Sequence, residues 1–124
     1  MKKVKISEVG GLNTKVLARM GGNGIAILTS ANVPSAVALP YIGSRKKDNS
    51  AAQQYIALAD KSIGGKSPVS NVTRVGRLTM RLISELRKHG SLAVSLRGEL
   101  VAILLPFPQT QAEANQNIEI YLKQ

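Results

Sequence analysis

The chain has 124 residues, 44% of them hydrophobic, with no cysteine, 17 basic and 7 acidic residues, and a net charge of +10. The hydrophobic share is too high for a disordered chain. The missing cysteines exclude disulfides, thiolate nucleophiles and cysteine-ligated metals. A basic amino terminus that leads into Ile6-Ser7-Glu8, with no long apolar run, predicts a cytoplasmic protein with neither signal peptide nor membrane span.

In chain order, Lys3 to Ser7 can open with a strand. Val9, Leu12, Val16, Leu17 and Met20 recur at helical spacing until Gly21-Gly22-Asn23-Gly24 breaks the helix, and Gly10-Gly11 favours a late start for it. A hairpin follows, Ile25 to Ser30 and Ser35 to Leu39 about a turn at Ala31-Asn32, and Pro40 stops it. Ser50–Lys61 reads as a helix carrying Tyr55, Ile56 and Leu58, and Lys61 to Pro68 as a linker. Val75, Leu78, Leu82, Ile83 and Leu86 then predict a helix over about 74–88, capped by Gly90. The strands Leu92–Leu96 and Leu100–Leu105 flank Arg97-Gly98-Glu99, Pro106 ends them, and Gln111–Lys123 forms the last helix.

Shifting the chain by 66 positions aligns residues 6–58 with 72–124 without a gap, with nine identities in 53 pairs. Among them are Gly24/Gly90, Pro40/Pro106 and Tyr55/Tyr121, at positions where elements end or cores are filled. The expectation is an α+β chain of two tandem (β)-α-β-β-α units, 1–60 and 72–124, joined by 61–71 into a covalent pseudo-dimer. A unit of roughly 60 residues buries little core alone and leans on a partner.

On a helix over 74–88, Arg74, Arg77, Arg81 and Lys88 would share one sector of about 60° beside the apolar stripe. Asn13, Thr14, Lys15 and Arg19 mark the matching first-half helix, with Thr79 opposite Asn13. Such a face can track phosphates and reach base edges, or be an ordinary solvated surface. Arg45-Lys46-Lys47 and the turn residue Arg97 are further candidate contacts, or charges that aid solubility. Together these residues make double-stranded DNA the expected partner.

No catalytic or metal constellation stands out, so neither an enzyme nor a cofactor is expected. His89, the only histidine, has no triad partner and suits a helix end. Ser62 to Ser67 resembles the end of a phosphate loop, but Asp60 stands where the first glycine is required. The aromatic pairs Tyr41/Phe107 and Tyr55/Tyr121 read as core positions, which favours duplex DNA over single-stranded RNA.

Val16-Leu17-Ala18-Arg19-Met20, the glycine break, Ile25–Thr29 and Pro34–Tyr41 resemble the prevent-host-death (Phd/YefM) antitoxin family, as does the stretch from Gly90 to Pro106. About 36 residues of each half carry the likeness. It implies paired units that bind operator DNA, as in a repressor or accessory factor of a plasmid, phage or other mobile element. The family's toxin-binding tail implies a second reading, an antitoxin or adaptor for a small protein partner, and self-association is open under both. Here only a short segment, Gln109–Gln124, follows the second stretch of likeness.

Overall fold

The computed structural model describes residues 2–20, 24–41, 49–63 and 72–123; of Arg19, Asn49 and residues 72–76 it describes the backbone alone. Its elements are β1 (Lys2–Lys5), a 3-10 turn (Ile6–Glu8), α1 (Thr14–Met20), β2 (Ile25–Ser30), β3 (Val33–Pro40) and α2 (Asn49–Ile63). Then come β4 (Val72–Arg77), α3 (Met80–His89), β5 (Leu92–Leu96), β6 (Glu99–Pro106) and α4 (Gln111–Leu122). The fold is mixed α+β, and the order β-α-β-β-α occurs twice.

All six strands form one sheet in the order β1-β5-β6-β3-β2-β4. The two hairpins meet at its centre, where β3 and β6 pair antiparallel from Ala36↔Pro106 to Pro40↔Ala102. Each outer strand crosses to the other half. β1 runs parallel to β5, with Lys2 opposite Leu92 and Lys5 opposite Ser95. β4 runs parallel to β2, with Val72 opposite Ile25 and Arg77 opposite Thr29.

Helices cover both faces, so the central strands read as unbroken apolar runs. Alternation sorts their side chains. Val4, Ala26, Leu28, Ala36, Ala38, Leu92, Val94, Ala102 and Leu104 face α1 and α3, which contribute Val16, Met20, Leu82, Ile83 and Leu86. Alanines dominate the middle of that face and let the helices sit close. Ile25, Ile27, Val37, Leu39, Ala93, Ile103 and Leu105 face the other way, onto Tyr55 and Leu58 of α2 and Ile118 and Tyr121 of α4.

The ends of these elements follow local rules. Both hairpins turn on two left-handed residues, Ala31 and Asn32 (φ 50° and 66°) and Arg97 and Gly98 (52° and 84°). Asn13 caps α1 by accepting from Val16 N–H at 3.0 Å. Thr79 caps α3, and Gly90, at φ 79°, closes it with a bond to the Leu86 carbonyl. Thr110 caps α4, where Glu113 also accepts from the Gln109 N–H.

Three sequence expectations are corrected. Residues 72–77 form β4, not the first turns of the second-half helix, which begins at Met80. Pairing with β2 outcompetes the helical phase shared by Val75, Leu78 and Leu82. Val9/Val75 and Gly10/Gly76 therefore fall on unlike structure, and the elements follow the 66-residue shift only from Leu12/Leu78 onward. Finally, α2 runs to Ile63, three residues into the expected linker; the remainder of that linker, 64–71, and the glycine break at 21–23 lie outside the described residues.

Candidate nucleic-acid interface

The α1/α3 face begins where the two helix entries touch. A Cβ on Gly10 would collide with the Arg77 carbonyl oxygen, so the segment leading into α1 rests directly on the end of β4. The Leu78 N–H donates to the Thr29 carbonyl at 2.8 Å, fixing the start of α3 over β2. Leu12 and Leu78, the last buried residues before each helix, share one core cluster.

The expected site residues divide over this frame. Lys15 and Arg81 are both exposed and both second in their helices, and neither first turn holds an acidic residue. Thr14 is exposed at the start of α1. Asn13 and Thr79 are exposed, but their side-chain oxygens already cap the helices. Lys88 lies two turns beyond Arg81 on the same side of α3.

Arg74 and Arg77 stand on β4, so the four-residue sector expected on one helix does not form. Arg77 is exposed at the strand's end, three residues ahead of α3; of Arg74 the backbone alone is described. Arg19 is placed in α1 by its backbone. Arg97 is exposed at the β5–β6 turn, and Arg45, Lys46 and Lys47 lie outside the described residues.

Sequence reading missed the basic edge. Lys2, Lys3 and Lys5 are exposed on β1, which strand exchange sets beside β5 and α3. Counted along the chain, residues 1–66 carry +7 and 67–124 carry +3; moving those three lysines makes it +4 against +6. Three lysines in four residues were a visible signal, but their neighbours depend on a pairing across some 90 positions.

Between β1 and the amino-terminal half of α3 runs a groove of about 500 Å³, lined by Lys2, Lys3, Val4, Glu8, Thr79, Arg81, Leu82 and Glu85. Lys2 spans it to form an ion pair with Glu85. That hydrogen bond holds the Glu85 carboxyl below its ordinary range against some desolvation, and the Lys2, Arg81 and His89 charges add to the lowering.

On the opposite face, polar contacts bind the halves reciprocally. Tyr55 Oη donates to the Pro106 carbonyl at 3.2 Å, and Tyr121 Oη to the Pro40 carbonyl at 3.1 Å. Asn117 Nδ2 reaches both Tyr55 Oη, at 2.7 Å, and the Pro106 carbonyl, at 3.1 Å. The backbone repeats the pattern. Tyr41 N–H donates to Val101 and Phe107 N–H to Ser35, positions also related by 66. All four aromatic residues serve the core, as expected.

Fold and surface define a class: a basic α+β protein whose central sheet is built from strands of both halves and covered on both faces. No family model, curated protein or solved structure matches the chain. Among the described residues no helix is long and apolar enough to cross a membrane.

Proposed function

We propose that the chain is a sequence-specific double-stranded DNA-binding regulator, a covalent pseudo-dimer of two Phd/YefM-like units. In this reading it acts in the cytoplasm as a repressor or accessory factor of a mobile element and catalyses no reaction. The observation that carries it is the matched placement of Lys15 and Arg81. Each is exposed in a first helical turn that holds no acid, on the layer that also bears Lys88, and Arg77 is exposed at the end of β4 three residues ahead of α3. A cation at the positive end of a helix opposes the helix dipole, so stability does not account for it. A polyanionic partner does.

The pseudo-dimer reading is supported by the repeated element order and by the reciprocal bonds of Tyr55 and Tyr121. The test is a salt titration of binding to duplex DNA from upstream of its own gene, beside an unrelated duplex. Log affinity should fall linearly with log salt, with a slope near −0.9 per phosphate contact. Replacing Arg77 and Arg81 together with alanine should flatten that slope by about 1.8. Melting temperature should barely move, since both side chains are exposed. An unchanged slope would remove this layer from the interface, and equal affinity for both duplexes would remove sequence specificity.

A second reading, an antitoxin or adaptor that holds a small protein, is favoured by two apolar side chains left in solvent. Val33 is 60% exposed and Met80 72%, at the end of the sheet where β2 and β4 finish. Replacing both with serine should abolish co-purification of such a partner and spare DNA binding.

A further inference from the structure

We propose that the groove between β1 and α3 receives a phosphate group of the nucleic acid, and that Glu85 is a competitor built into it. In the free protein Glu85 holds Lys2; on binding, the phosphate takes Lys2 over and joins it to Arg81. This deepens the DNA reading by assigning one contact to a place and giving it a regulator.

Three observations converge. Strand exchange brings Lys2 from the start of the chain against an arginine some 80 positions on, which makes a two-element cationic wall. The wall encloses about 500 Å³ of open groove, room for a phosphate and its sugar. Across it Lys2 is already engaged by a carboxylate oxygen of Glu85, the kind of acceptor a phosphate oxygen replaces. Glu8 lines the same groove, so with Lys2 held by Glu85 the α3 cation Arg81 faces one further acid. An entering anion therefore gains Lys2 only by displacing Glu85 from it, and its net gain rises when Glu85 loses its charge.

The ordinary role for such a pair is a clamp that fastens an edge strand to a helix. Clamp and competitor predict opposite signs. If Glu85 competes, Glu85→Gln in the full chain should tighten duplex binding at low salt by about two- to fivefold, the range of one exposed ion pair. Arg81→Ala should weaken it and lower the salt slope by about 0.9. Lys123→Ala, on the opposite layer, should change neither beyond the general effect of one lost charge.

Pyrophosphate, titrated while the amide resonances of residues 2–4 and 79–82 are followed, reads the groove without DNA. Tighter binding by Glu85→Gln in both assays supports the proposal. Unchanged or weaker binding by Glu85→Gln, with wild-type DNA binding intact, overturns it and leaves the DNA reading standing. Pyrophosphate shifts at those amides, sharpened by Glu85→Gln, without any duplex binding at low salt would keep the anion groove and overturn the DNA reading.

Discussion

Tyr55 and Tyr121 are related by the 66-residue shift, yet Asn117, which bonds to the Tyr55 hydroxyl, stands where the first half has Ala51. Asn117 is buried, and its Nδ2 donates to both members of the Tyr55–Pro106 contact. Asn117→Ala should therefore lower unfolding free energy by about 1–2 kcal/mol, measured by urea denaturation. The Tyr55 hydroxyl is pushed far above its ordinary value near 10, chiefly by desolvation; the Asn117 bond opposes this and the Glu113 charge adds to it. A folded pKa above the unfolded one means the neutral phenol stabilises the fold fully below about pH 10 and loses that contribution as pH rises beyond it. Wild-type stability should decline between about pH 10 and 12, and Tyr55→Phe should decline less steeply over that window. Gly90 is constrained differently. A Cβ there would meet Ile120 Cδ1 at 2.8 Å on a backbone at φ 79°, so Gly90→Ala should cost about 1–2 kcal/mol in the same assay.

At the scale of elements, both hairpins and the last helix of each half were legible from turn residues, prolines and apolar spacing. β4 was not. Val75, Leu78 and Leu82 fit a helix as well as Val72-Thr73 and Val75 fit a strand, and only the β2 partner decides between them. Thr79 was the local clue, because a threonine ahead of Met80 is a helix cap and places the start of α3 after Arg77. Misreading that start merged Arg74 and Arg77 with Arg81 into one sector; of the candidate residues, Thr14, Lys15, Arg19, Arg81, Lys88 and Arg97 lie on the elements expected for them. Thr79→Ala should cost about 1 kcal/mol through the lost cap. Under the DNA reading, its effect on affinity should be smaller than that of Arg81→Ala. The exchange of β1 was beyond sequence reading, because nothing in Lys2–Lys5 names β5 as its partner. Its test is local perturbation with a remote readout. Val4, buried against the α1/α3 face, changed to Ser should cost about 2 kcal/mol. Hydrogen exchange should then accelerate at Leu92–Ser95, in the other half of the chain.

At the scale of the whole molecule, one sheet runs through both halves and each core cluster draws side chains from both. Thermal unfolding should therefore be a single transition, with calorimetric and van't Hoff enthalpies in agreement; two resolved transitions would show that the halves melt separately. The halves are not equivalent in charge. The basic edge of β1 lies with α3, and Arg77 stands opposite Gly11 in the shift. A DNA site read by this surface should be asymmetric, unlike the palindrome imposed by an identical homodimer. In footprints, Arg77→Gly should relax protection on one side only.

The β3–β6 ladder carries a further consequence. α1 and α3 rest on strands joined by five consecutive residue pairs, without a hinge between them. Their separation is thus a fixed length, and the protein is a ruler: under the DNA reading it can measure one spacing between the two contacts and no other. Adding or removing a single base pair between them turns one contact about the duplex axis by roughly a tenth of a turn, which a rigid sheet cannot follow. Affinity should fall sharply with either change and recover, if at all, only through distortion of the DNA.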